Sequence, residues 1–131
     1  MRFIISSAFM IVFSLPALAW TPWNWQESNA AMRCSAVYGA ASYAVRTYPY
    51  KPEKGQTKQE VSDYFQRLSN LLRYFATNSG FEEEMAFKLK QNLRDEKYFV
   101  DQEGNQSLDS MADRIAACDE QLDHLYEVYQ E

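Results

Sequence analysis

The chain has 131 residues, with 13 Lys and Arg against 18 Asp and Glu, for a formal net charge of −5. An acidic balance disfavours nucleic acid or an anionic membrane surface as the partner, because the phosphate-driven attraction becomes repulsion. Aromatic residues make up 15% of the chain and most apolar residues recur at regular spacing, which excludes a disordered composition.

Residues 1–19 read as an export signal. Arg2 is a minimal positive start, Phe3 to Leu15 is an apolar run broken only by serines, and Pro16 precedes a small-x-small site at Ala17-Leu18-Ala19. The run is shorter than the roughly 20 residues a membrane span requires. The expected cut after Ala19 removes Arg2 and leaves a single domain, 20–131, with 12 basic and 18 acidic residues. Its destination is the periplasm or the secreted space, with no membrane-spanning segment after cleavage.

All three tryptophans, Trp20, Trp23 and Trp25, lie just after the cut. The first helix starts near Thr21-Pro22 or Ser28 and runs to Tyr48. Ala31, Cys34, Tyr38, Ala41, Val45 and Tyr48 follow alternating spacings of three and four, the mark of a packed helical seam. The neighbours of that seam are small (Ala30, Ser35, Ala36, Gly39, Ala40, Ser42, Ala44), so a second helix can approach closely. Pro49 and Pro52 stop the helix and begin a polar linker.

Thr57-Lys58-Gln59-Glu60 is a capping box. It opens a helix with a wide apolar stripe: Val61, Tyr64/Phe65, Leu68, Leu71/Leu72 and Phe75. Gly80 marks its end. Ser79 with Glu82 reads as the next capping box. The third helix then carries Phe81, Met85, Ala86, Leu89 and Leu93 and fades near Phe99. Glu82, Glu83 and Glu84 precede Lys88, Lys90, Arg94 and Lys97, an order that complements the helix dipole. Asp101 to Gln106 reads as a turn, and Ser107 as the cap of a last helix. There Leu108, Met111, Ile115, Cys118, Leu122, Leu125 and Tyr129 keep three-four spacing.

Cys34 and Cys118 are the only cysteines, each on a seam. In an exported protein an even pair without a Cys-x-x-Cys motif predicts a structural disulfide. Closing so long a loop contributes roughly 4–5 kcal/mol in the chain-entropy account. The expected fold is all-α: an antiparallel up-down-up-down four-helix bundle whose first and last helices are joined by that disulfide. An alternative has three main helices, the third broken near Asp95.

No constellation of catalytic residues stands out, and the chain is expected not to be an enzyme. His124 is the single histidine, so it supplies neither a three-ligand zinc site nor a di-iron pair, and Glu120 beside it reads as part of a solvated acidic face. Asp101-x-Glu103-x-Asn105 resembles the start of a calcium loop, but Gln106 and Ala112 stand where Gly and Glu belong. Glu82 to Glu84 belong to a helix start. Four isolated glycines build no phosphate loop, and no nucleophile elbow is present. No cofactor and no metal are expected.

The surplus aromatics are the candidates for partner binding: Trp20, Trp23 and Trp25 near the new terminus, and Tyr48 and Tyr50 in the proline loop. The alternative is that both groups fold over the ends of the bundle. The expected function is a small exported binding protein, most concretely an inhibitor or immunity-type protein acting on an envelope protein. Two others stay open. An acid-activated chaperone would loosen when its carboxylates protonate, leaving about +13 on 12 basic residues and His124. A structural component of an envelope assembly would use the seams between chains.

Overall fold

A computed structural model describes residues 25–77 and 80–130. The described chain is all-α, with no strand, and consists of three uninterrupted helical runs. The first is α1, Trp25–Thr47, and the second is α2, Lys58–Thr77. The third run spans 82–130. A 3-10 turn at Gly104–Gln106 divides it into α3, Glu82–Glu103, and α4, Ser107–Gln130. None of these helices is long and apolar enough to cross a membrane.

Where four separate helices are expected, the described residues form three helical runs. Asp101 to Gln106 is not an irregular turn: α3 continues through Glu103, and only Gly104 leaves helical geometry, at φ 59°. That left-handed value suits a residue without Cβ. The helix also runs unbroken through Asp95, which moves the break nine residues later than the three-helix alternative places it. Arg114 Nη1 lies 3.2 Å from Glu96 Oε1, although 18 residues of straight helix span about 27 Å. The chain therefore folds back at the 3-10 turn. The Arg114 guanidinium also sits 4.3 Å from the centre of the Phe99 ring, fixing the angle of the fold-back.

Helix ends follow local chemistry. At α2 the capping box forms as expected: Glu60 N–H donates to Thr57 Oγ1 at 3.0 Å and Thr57 N–H donates to Glu60 Oε1 at 2.8 Å. Pro49, two residues on, bars continuation of α1 beyond Thr47. At α3 the residue outside the first turn is Phe81, which provides no side-chain cap. Ser79 lies outside the described residues. Ser107 is already helical, at φ −60° and ψ −42°, and is the buried first residue of α4 rather than its cap.

The helix α1 is the centre of the molecule and touches all the others. From Ala31 to Val45 only Arg33 and Tyr43 escape full burial. The single seam predicted for it therefore understates its burial. Small residues all round its circumference admit α2, α3 and α4 together.

Toward α2, two serine pairs close the interface. Ser35 and Ser69 each donate to the other's backbone carbonyl at 2.7 Å, and Ser42 donates to Ser62 O at 2.9 Å. Both pairs repeat at seven residues and run in opposite senses, so α1 and α2 are antiparallel. Toward α4, Cys34 and Cys118 form the predicted disulfide, with their Cα atoms 5.4 Å apart. The Tyr38 hydroxyl donates to Asp119 Oδ1 at 2.5 Å, one turn along α1. Farther along, His124 Nε2 lies 3.4 Å from Glu27 Oε2. From Glu27 to Cys34 the position rises on α1 while its partner falls from His124 to Cys118, so α1 and α4 are antiparallel. Against α3, Trp25 meets Glu84 and Tyr43 meets Asp101, so α1 and α3 run parallel.

Candidate functional site

Side chains that face outward between α1 and α3 form an open surface groove. It has a volume of about 510 Å³ and is lined by Tyr43 of α1 and by Lys90, Leu93, Arg94, Lys97, Tyr98 and Asp101 of α3. The α3 residues sit at i, i+3, i+4, i+7, i+8 and i+11, which places them on one helix face. Leu93 anchors that face against α1: a Cβ built on Gly39 would lie 3.0 Å from Leu93 Cδ1. Gly39 is needed here for close approach, not for its backbone angles.

One end of the groove is organised by Asp101. Its Oδ1 accepts hydrogen bonds from Tyr43 Oη at 2.8 Å and from Tyr48 Oη at 2.7 Å. Both bonds favour the ionised carboxylate, and Lys97 nearby adds to them, so Asp101 titrates below the usual carboxylate range. The same bonds push the ionisation of Tyr43 and Tyr48 up. Lys97 Nζ lies 5.3 Å from the centre of the Tyr43 ring. Tyr98 is 65% exposed on the rim.

Around Leu93 and Lys97 the groove adjoins a small cleft of about 80 Å³, bordered by Arg46 of α1 and Arg73 of α2. Five cations (Lys90, Arg94, Lys97, Arg46 and Arg73) thus line this side of the molecule, with Asp101 as its one lining carboxylate. Among the described residues, Lys90, Arg94 and Arg46 take part in no ion pair. Acidic residues dominate α4 instead. Asp109, Asp113, Glu120, Asp123 and Glu127 are all exposed on it.

The predicted binding residues do not come together in one patch. Trp20 and Trp23 lie outside the described residues. Trp25 is at the start of α1, where its Nε1–H donates to Glu84 Oε2 at 3.0 Å and Lys88 Nζ lies 5.6 Å from its ring centre. Tyr48 and Tyr50 are at the far end of α1, about 34 Å away along the helix axis. There they line a second cavity of about 260 Å³ with Pro49, Ser107 and Leu108. Both are half-buried against the start of α4.

The groove residues carry a sequence signal of their own. Lys90, Arg94 and Lys97 at i, i+4 and i+7 put like charges on neighbouring turns, more than a helix dipole calls for. Asp101 is in the last turn of α3 and takes tyrosine hydroxyls, so the faint calcium-loop pattern does not describe its surroundings. Among the described residues no three His, Cys, Asp or Glu side chains gather into a metal-holding group.

The buried side of α1 supplies another unusual group. Tyr38 is fully buried, and burial first, then the hydrogen bond to Asp119, drives its ionisation far above the ordinary tyrosine value. Its hydroxyl is closed in, and its role is to tie α1 to α4 beside the disulfide. No protein-family model matches this chain, and neither a curated protein nor a solved structure matches it at a significant level.

Proposed function

We propose that this chain is an exported, non-enzymatic binding protein of the inhibitor or immunity type, acting on a partner protein in the cell envelope or beyond. The observation that carries this reading is the open groove between α1 and α3. Its cations are not consumed by ion pairs within the fold, and the exposed ring of Tyr98 and the half-buried ring of Tyr43 flank them. Such a combination serves contact with another molecule better than it serves folding. The export signal at 1–19 supplies the compartment, and the disulfide is consistent with an oxidising one.

Counted by chain direction, the two arms of the third helical run act as separate helices. The scaffold is then an up-down-up-down four-helix bundle, with the first and last helices stapled. A rigid scaffold of this kind presents a groove without having to order it on binding.

The test is to immobilise the oxidised protein, capture proteins from envelope and secreted fractions, and titrate each purified candidate. A partner that binds saturably at fixed stoichiometry, and whose activity falls on binding, supports the reading. No saturable partner from either fraction overturns it.

A second reading, an acid-activated chaperone, has one observation in its favour. Asp101 and Asp119 each hold α1 to another helix by accepting a tyrosine hydroxyl. Asp101 protonates only below the usual carboxylate range, and its protonation weakens the bonds that hold α3 to α1. Protection of an aggregating client at low pH, with none at neutrality, would favour it; no protection at low pH removes it.

A further inference from the structure

We propose that the groove between α1 and α3 is the docking site for a short acidic segment of a partner protein. This rests on the binding reading above and names the chemistry of the partner.

Three features of the groove lead there. The first is charge placed against the composition. The chain carries −5 overall, yet five cations border the groove and its adjoining cleft, against Asp101 alone. Asp101 does not neutralise them fully, because two tyrosine hydroxyls already share its Oδ1.

The second feature is the arrangement on α3. The residues three and four positions from Lys90 and Arg94 are Ala86, Phe87, Gln91, Leu93, Arg94, Lys97, Tyr98 and Lys90, with no acid among them. Like charges at such spacing destabilise a helix. The fold therefore does not explain this stripe, whereas an anionic ligand does.

The third feature is size. Lys90 and Asp101 are eleven residues apart on α3, which is about 16 Å and matches about five residues of extended peptide. A long polyanion on the same cations would extend past them over a molecule of net negative charge. A short acidic segment meets the cations alone. Leu93 forms an apolar floor and Tyr98 a 65% exposed rim, giving the segment side-chain contacts besides charge.

The probe is a fluorescein-labelled hexaglutamate peptide, read by anisotropy with the oxidised full-length protein, and hexaglutamine serves as the neutral control. Saturable binding of hexaglutamate that weakens with added salt, with no binding of hexaglutamine, is the expected result. Lys90→Glu with Arg94→Glu should reduce affinity by about tenfold or more. Lys54→Glu with Lys58→Glu makes the same charge change at the start of α2 and should leave affinity within about twofold. Helical content and melting temperature show that both variants fold, and Lys90→Gln with Arg94→Gln gives a milder pair if the first does not.

Absence of hexaglutamate binding overturns the proposal, as does equal weakening by both charge-reversed variants. Binding of a single-stranded oligonucleotide or of anionic vesicles as tight as that of hexaglutamate also overturns it. So does self-association that disappears on Lys90→Glu with Arg94→Glu, which would make the acidic α4 of a second copy the occupant. A captured partner whose affinity ignores the groove variants overturns this docking site while leaving the binding function intact. Failure to capture any partner removes the function itself.

Discussion

The helix α1 meets α2 and α3 in opposite ways. Toward α2 it offers Ser35 and Ser42 at seven-residue spacing, and α2 answers with Ser69 and Ser62, so short side chains bond to backbone carbonyls and the two helices close. Toward α3 it offers Gly39 and Tyr43. Gly39 lets Leu93 reach the core, but four residues on, the Tyr43 ring and the long side chains of Lys97, Arg94 and Tyr98 leave an open groove. The closed interface buries hydroxyls that have each found partners. The open one leaves charged groups in water. Polar residues serve stability only where geometry pairs them, and on the α3 side Lys90 and Arg94 are left out of the pairing that Asp101 gives Tyr43 and Tyr48.

The contrast is broken most severely by removing the staple that holds α4 in place. Cys34→Ala with Cys118→Ala should lower unfolding free energy by about 4–5 kcal/mol, measured by urea denaturation under non-reducing conditions. A loss below about 1 kcal/mol would show that packing alone carries the α1–α4 contact.

The closed interface comes next. Ser42→Ala leaves the Ser62 hydroxyl and carbonyl short of a buried partner and should cost about 1–2 kcal/mol. The double change Ser42→Ala with Ser62→Ala should cost less than the sum of the two singles. Additive losses in the double-mutant cycle would mean that the pair is not coupled.

Tyr38→Phe removes the bond to Asp119 and should cost about 1 kcal/mol near neutral pH, because exposed Asp119 regains water. It also has a pH signature. The fold keeps Tyr38 protonated well beyond its unfolded value, so its contribution is complete below about pH 10 and lost as the pH rises further. The wild-type protein should destabilise above pH 10 more steeply than Tyr38→Phe, in melts taken across the alkaline range.

The smallest effects belong to the open side. Arg94→Glu should change stability by less than about 0.5 kcal/mol, in contrast to the serines. Asp101 loses its proton more readily folded than unfolded, so its contribution is complete above about pH 4 and is lost as the pH falls through its lowered value. Tyr43→Phe with Tyr48→Phe should move the Asp101 carboxyl titration upward by NMR. An unmoved titration would place the cause outside those two hydroxyls.

Much of the fold was legible in the residues themselves. The Thr57/Glu60 box, the stop before Pro49 and the three-four seams through Cys34 and Cys118 all act within one or two helical turns, and they appear where local chemistry puts them. The small residues beside the first seam correctly announced a close neighbour. The extension of α3 past Phe99 was less legible. Tertiary contacts, such as Val100 in the core and Glu96 with Arg114, override weak end signals there.

The binding surface was much less legible. Aromatic surplus drew attention to Trp25, Tyr48 and Tyr50, but a helix about 34 Å long separates the first from the others. Lys90, Arg94 and Lys97 read as ordinary dipole complement until α1 and α2 brought Tyr43, Arg46 and Arg73 beside them.

By itself, then, the sequence determined the helices, most of their ends and the residues available for a covalent staple, because backbone hydrogen bonding and capping are settled over a few neighbouring residues. Only the tertiary structure decided that α1 is central, that Asp101 receives two tyrosines and that cations from three helices share one side. Those outcomes depend on how each helix is rotated about its axis and which neighbour it meets, and that is a property of the packed whole.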